Sequence, residues 1–421
     1  MEAWSPPEAE TTLNAGGGRF SGASAGRAYL RPVLLRPRTL ACLVLGWAVA
    51  WFALMALGGG SSWRFFAEGA GALADVDDAV RGGLHLYAGA PVLQIGPLTF
   101  LAVLLLQAPA GAVAALAGWQ VLGAAAGLLV LWLARGLVPR WRRHEGWLAL
   151  GAACFMPVWM FLAVGVAHLD DVLALLLSVA ALRTARDGRA ALTGLLLGLA
   201  ADAKPWAVGF AAMLLLLPGW RRGLTAAAVL AAAVAAAWLP FFAADPHTSN
   251  AVRYTIQNVP VSALHALGVH DPRTPPWDRP AQLALALALG AVAVWRGHWP
   301  AIPLLTVASR LVLEPGGNKY YIAGVVVGTI IWDYAGSRHD VPWWTMSACL
   351  GLFVARWVPM PDPVHGWLLV AFFAAACALL LGRPDFSHAI LSRIGDRSYP
   401  DGKGCPQRVA RLNASVRERT P

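Results

Sequence analysis

The sequence predicts an all-α protein, a polytopic transmembrane helical bundle of about twelve spans. Three observations carry that expectation. The chain of 421 residues is 58% hydrophobic, with a mean hydropathy of +0.56. Only 13% of its residues are charged, against about 25% in a soluble domain. Apolar runs approaching the roughly 20 residues that cross a bilayer recur along the chain. A transmembrane β-barrel would instead show alternating segments of about ten residues.

In chain order, residues 1–37 mix Pro, Gly, Ser and Ala with scattered Arg and read as a disordered cytoplasmic tail. Residues 38–57 are long enough to span and read as an uncleaved signal anchor. A first outer loop covers 58–111. Further apolar runs lie at 112–134, 147–166, 171–185, 190–203, 205–218, 224–242, 281–295, 300–313, 320–335, 342–358 and 365–382. The runs 190–203 and 205–218 are short and meet at Lys204-Pro205, where proline ends or kinks a helix. The transmembrane domain is thus 38–385, and 386–421 is a basic cytoplasmic tail.

Charge decides the topology. The run 96–108 is too short for a comfortable span. Reading it as a juxtamembrane or re-entrant helix puts the cluster Arg140, Arg142 and Arg143 inside, as the positive-inside rule requires. Arg183, Arg186, Arg189, Arg221, Arg222, Arg296, Arg338 and both termini then fall on the cytoplasmic side of a plasma membrane. Segments 58–111, 166–171, 203–205, 243–280, 314–319 and 359–364 fall on the other side, poorer in Arg and Lys and richer in Asp, His, Trp and Pro. The net charge of +10 is therefore loop arginine. These arginines form no basic face, which excludes nucleic acid as a partner. The five cysteines form no CxxC pair and no Cys/His metal spacing, so neither a disulfide nor a zinc site is expected.

The few polar residues sit at the ends of apolar runs, where ionisable groups are costly and usually functional. Asp75, Asp77 and Asp78 crowd the long first outer loop, followed by Arg81, His85 and Tyr87. Such crowding suits a general base or a metal site; its structural reading is a solvated loop with Asp75 capping a helix. His168, Asp170 and Asp171 occupy the turn between two runs, where one carboxylate can cap the second helix. Lys204 either snorkels to the interface or binds a phosphate, with Asp202 as its nearest counter-ion. The turn from Arg310 through Glu314, Gly316, Gly317, Asn318, Lys319, Tyr320 and Tyr321 could contact a phosphate through Lys319 and a sugar through its tyrosines; alone, it also reads as an aromatic belt. The outer loop 243–280, with Asp245, His247, Arg253, Tyr254, Gln257, Asn258, His265, His270 and Trp277, reads as acceptor-binding surface.

In this order, the motifs resemble the GT-C superfamily of integral membrane glycosyltransferases. They are the Asp75–Asp77–Asp78 loop, Gly96-Pro97-Leu98, His168-Leu169-Asp170, the helix end at 201–206 and Lys319-Tyr320-Tyr321. The chain looks most like the bacterial branch that includes polyprenyl-phosphate-mannose-dependent mannosyltransferases, over about residues 38–335. Where relatives often carry Tyr-Pro-Pro, this chain has Ile95-Gly96-Pro97. The resemblance implies transfer of mannose or a similar hexose or pentose, with inversion, from a polyprenyl-phosphate donor to a hydroxyl of a glycolipid or polysaccharide on the extracytoplasmic face. It implies a catalytic base among Asp77, Asp75 and Asp78. Lys204, Lys319, Arg81 and Arg310 would bind the donor phosphate. His168, Asp170, Asp171, Glu314, Asn318 and Tyr320 would bind sugar or acceptor. His168 and Asp170 are also candidates to hold a divalent cation; no other cofactor is indicated.

A proton-coupled transporter or flippase for a lipid-linked sugar is the alternative, since intramembrane Asp, His and Lys also mark proton relays. It needs polar groups near mid-bilayer with access from both sides. Here they cluster at one face, and no internal repeat of the transporter kind is visible.

Overall fold

With little water to compete for its backbone, an apolar chain satisfies its N–H and C=O groups internally, and helices do so within one segment. In the computed structural model, which describes residues 36–78, 80–139 and 144–382, the regular structure is helical apart from one isolated antiparallel bridge between Gln257 and Arg273. The expectations for the N-terminal tail up to residue 35, for Arg140, Arg142 and Arg143, and for the C-terminal tail with Cys405 lie outside the described residues.

Five helices are long and apolar enough to cross a membrane: α1 (Pro37–Ala56), α4 (Val113–Leu137), α5 (Glu145–Gly165), α8 (Trp220–Ala244) and α13 (Asp362–Leu381). Between them run α2 (Trp63–Ala74), α3 (Pro97–Pro109), α6 (Leu169–Arg186), α7 (Ala190–Ala203), α9 (Asp278–Trp295), α10 (Ile302–Val312), α11 (Ile322–Ala335) and α12 (Trp343–Ala348). The apolar run after Pro205 forms a 3-10 helix, Pro205–Leu216. At about 2 Å per residue it reaches about 24 Å, further than an α-helix of the same length. α12 continues as a π-helical turn, Cys349–Phe353, and a 3-10 turn, Val354–Trp357.

The run 96–108 becomes α3, a separate short helix. Pro109 weakens the helical ladder, and Gly111 then breaks it at φ +72°, ψ 170°, a conformation open to glycine alone. The first turn of α3 abuts the end of α7. The Gly96 N–H donates to the Ala203 carbonyl at 3.2 Å, and the Thr99 hydroxyl donates to the same oxygen at 3.1 Å. A Cβ at Gly96 would lie 1.5 Å from the Asp202 carbonyl oxygen, so only glycine permits this approach.

The helix ends sort into two groups. At one end the Ser62 N–H meets the Val166 carbonyl at 2.9 Å, Gln282 donates to the Leu313 carbonyl at 3.2 Å, and His85 meets Asp245 at 3.4 Å. At the other, Arg183 donates to the Gly136 carbonyl, Arg135 pairs with Glu145 at 2.5 Å, and Arg186 lies over Trp299 at 4.4 Å. The turns carrying His85, His168, Asp170, Asp171, Asp245 and Glu314 gather at the first end, and the arginine-bearing ends of α4, α6 and α9 at the second.

Candidate active site

Local backbone irregularity aims the first functional side chains. α5 carries Pro157, which has no N–H to donate, and winds into a π-turn over Phe161–Gly165. Ala167 then adopts φ +53°, which is costly for a residue with a Cβ. His168 follows as the N-cap of α6, and Asp170 and Asp171 stand in its first turn, where the helix dipole favours carboxylates. Neither aspartate is itself the cap. Both are buried, and the Asp171 N–H donates to Asp170 Oδ1 at 2.8 Å.

Lys204 reaches this turn from α7. Pro205 disfavours helix at the preceding residue, and Lys204 takes an extended conformation, φ −150° and ψ 118°. That swings its ammonium away from Asp202 and toward α6, where Nζ lies 2.8 Å from Asp170 Oδ2 and 2.9 Å from Asp171 Oδ2. Asp202, the counter-ion expected from proximity in sequence, forms no ion pair among the described residues. Its carboxylate is buried with one oxygen lacking a hydrogen-bond donor.

Arg310 arrives from α10. One of its terminal nitrogens donates to Asp171 Oδ1 at 3.2 Å, and its Nε lies 3.5 Å from Glu314. The guanidinium is held between the rings of Trp206 and Tyr321, at 4.5 and 4.2 Å from their centroids. The Trp206 indole N–H donates to Asp171 Oδ1 at 3.2 Å. Tyr320 stacks on His168 at 4.1 Å, and Phe66 of α2 meets the same imidazole edge-on at 5.4 Å. His168, Asp170, Asp171, Lys204, Arg310, Glu314 and Tyr320, scattered over about 150 residues of sequence, are thereby one network.

Trp206, Asp278, Arg279 and Gln282 belong to this neighbourhood without having been assigned a role from sequence, and Tyr321, read there as a face for a sugar, is packed against Arg310. Gln282 donates to Asp278 at 2.8 Å and to the Leu313 carbonyl, joining α9 to the turn beside Glu314. Arg279 donates to the Val252 carbonyl at 3.0 Å and to Gln94 of the first loop. The available signal was an Asp-Arg pair opening an apolar helix.

The remaining predicted residues lie elsewhere. Asp75 follows the last residue of α2 rather than capping the start of a helix. Its carboxylate accepts from the Asp78 N–H at 3.3 Å, and Asp78 accepts from the N–H groups of Val80 and Arg81, both at 3.0 Å. Asp77 is the one aspartate of the three with no hydrogen bond among the described residues. All three are exposed, as is Arg81, and none contacts the buried network. The nine-residue step from Phe66 to Asp75 carries this loop about 13 Å along α2 from Phe66, the residue that touches His168. Asn318 is exposed, and Lys319 Nζ lies over the Trp357 ring at 3.8 Å. In the 243–280 loop, the backbone N–H of His247, its imidazole and His85 hold the Asp245 carboxyl below the usual carboxylate range.

His168, Asp170 and Asp171 can each offer a ligand atom within 4.8 Å of the others, the spacing of a metal site. The position between the two carboxylates is filled by the Lys204 ammonium, and His168 Nδ1 already lies 2.5 Å from Asp170 and 3.2 Å from Asp171. A divalent ion would have to displace an internal cation, so this donor set is a poor fit for one.

The model of glycosyltransferase family 87 matches residues 95–355. The chain belongs to this family. Family 87 is a GT-C-type membrane glycosyltransferase family, so the protein is a membrane glycosyltransferase. The matched stretch contains every charged member of the buried network and begins after Asp75, Asp77 and Asp78. Comparison with curated proteins and with solved structures finds no match.

Proposed function

We propose that this family 87 enzyme transfers a sugar, mannose or a similar hexose or pentose, from a polyprenyl-phosphate donor to an acceptor hydroxyl, with inversion. The observation that carries the reading is the convergence of Lys204 and Arg310 on Asp171 at the end of the bundle that also holds the acidic first loop. The opposite end is rich in arginine, which favours an active site on the extracytoplasmic face of the plasma membrane. The acidic motifs singled out from sequence, at 75–78, 168–171 and 314, fall at one end, which supports a transferase over a transporter needing access from both sides.

In the proposed reaction, one loop carboxylate takes the proton of the acceptor hydroxyl. The oxygen forms a bond to the anomeric carbon as the bond from that carbon to the phosphate oxygen breaks. The electron pair leaves with the lipid phosphate, and the single displacement inverts the anomeric centre. Asp77 is the favoured base, because Asp75 and Asp78 are already engaged by backbone N–H groups. Negative charge grows on the leaving phosphate, so a cation not already paired with carboxylates, such as Lys319, binds the transition state more tightly than the ground state when held near it. The tyrosines of the 319–321 turn offer faces on which a sugar can stack, and the acceptor is a glycolipid or polysaccharide.

The deciding experiment is transfer of labelled mannose from polyprenyl-phosphate-mannose in membranes containing the chain. Asp77→Asn should lower kcat by at least about a hundredfold, the usual yield of a positioned base, and Lys204→Met should abolish transfer at equal protein level. Equal transfer by wild type and both variants would overturn these roles. No transfer from mannose, glucose or arabinose donors would overturn the donor class.

A further inference from the structure

Lys204 and Arg310 are not free to receive a phosphate. Arg310 is buried and Lys204 partly so, each is held by carboxylates, and removing such a charge from its partner is strongly unfavourable. The donor's phosphate therefore calls for cations that are not already neutralised. Two of them stand at the turn after α10. Lys319 has no carboxylate within ion-pairing distance among the described residues, and its ammonium rests on Trp357. Arg356, adjacent to that tryptophan, also has no carboxylate partner among the described residues; it forms no ion pair with Asp362, six residues on. Arg356 donates to the Gly317 carbonyl of the same turn and, at 3.4 Å, to the Val261 carbonyl. Two of its five N–H donors are thus used, and both go to neutral oxygens.

The element that delivers Arg356 is unusual. α12, its π-turn and its 3-10 turn form one irregular helical rod, and such irregularities are frequent at functional sites. Leu350, Val354, Trp357 and Val358 lie along it at helical spacing and are 60%, 43%, 56% and 47% exposed. An exposed apolar stripe thus runs up to a pair of unneutralised cations. This combination matches a lipid with a long hydrocarbon tail and an anionic head.

We infer that Lys319 and Arg356 hold the phosphate of the lipid-linked donor, with its isoprenoid tail lying along Leu350, Val354, Trp357 and Val358. The inference rests on the proposed polyprenyl-phosphate donor and adds its place of entry and a phosphate ligand, Arg356, that lies just outside the family match. Lys204 and Arg310 then order the wall of the site through Asp171, and the tail stays in the bilayer while the head turns inward past Tyr320 and Tyr321.

The test is binding of undecaprenyl phosphate, with undecaprenol as the uncharged control, to the purified full-length chain by native mass spectrometry. The wild type should retain the phosphate and release the alcohol. Arg356→Gln should weaken retention about tenfold or more, as expected for loss of a charged hydrogen bond. Arg356→Lys should keep most of it, because the charge survives although the two carbonyl bonds do not. Undiminished binding by the Arg356→Gln, Lys319→Gln double variant would overturn the inference and leave the donor class standing. Equal loss in Arg356→Gln and Arg356→Lys would also overturn it, since Arg356 would then be a clamp on the turn. Failure of the wild type to bind undecaprenyl phosphate would overturn the donor class itself.

Discussion

Replacing Asp171 with Asn tests the buried network at its node. Asp171 accepts from Lys204 at 2.9 Å, from Arg310 at 3.2 Å and from the Trp206 indole at 3.2 Å, and its side chain is 4% exposed. At 3.2 Å and an effective dielectric constant of about 20, the attraction to Arg310 is about 5 kcal/mol before desolvation is subtracted. The amide cannot balance two cations, so Asp171→Asn leaves Lys204 with Asp170 alone and Arg310 with Glu314 at 3.5 Å. A loss of about 3–5 kcal/mol in folding free energy is expected, the usual cost of breaking a buried pair. Arg310→Gln should cost a similar amount. The double variant should cost about 1–3 kcal/mol less than the two single losses together, because the second substitution removes a charge already stranded by the first. The measurement is reversible unfolding in mixed detergent micelles for all four corners of the cycle. Losses that add to within about 0.5 kcal/mol would refute the direct pairing, and with it the argument that Arg310 is committed to protein carboxylates.

Three further outcomes are expected. Gly96→Ala places a Cβ where the Asp202 carbonyl stands, at 1.5 Å, so α3 must separate from α7; a loss of at least about 1–3 kcal/mol is expected, and an unchanged unfolding midpoint would contradict the packing. Arg279→Gln removes charged hydrogen bonds to Gln94 and Val252 and should loosen the first loop, read as several-fold faster tryptic cleavage after the exposed Arg81; an unchanged rate would show that Arg279 does not hold that loop. Asp245 has a depressed carboxyl in the folded state, so its stabilisation of the 245–248 turn is complete above the ordinary aspartate range near 4 and is lost as pH falls through the lowered value. Hydrogen-exchange protection of the His247 amide, corrected for intrinsic rates, should fall in acid for the wild type and show no such step in Asp245→Asn.

Hydropathy made the helical membrane architecture legible, and charge made legible which chain segments share an end of the bundle. The Lys204-Pro205 break, the short helix at 96–108 and the late Lys319-Tyr320-Tyr321 turn could all be read locally, since proline, glycine and charge act over a few residues. Pairing could not. Asp202 stands two residues from Lys204, yet the lysine turns to carboxylates more than thirty residues earlier in the chain, because proline extends the backbone between the helix and the ammonium. The reach of Arg310 to Asp171, the wedge of Trp206 and Tyr321 around it, and the place of Arg356 had no local signature either.

The sequence by itself determined that this chain is a helical membrane protein whose polar residues stand at helix ends, because burying backbone and charge in hydrocarbon is costly wherever it occurs. Tertiary structure alone decided which of those residues meet. Among the described residues, Lys204 and Arg310 are neutralised by carboxylates, Asp77 has no hydrogen bond, and Lys319 and Arg356 have no ion-pair partner. The physical reason is that ion pairing depends on a few ångströms between side chains from distant segments, a separation set by helix packing and not by spacing along the chain.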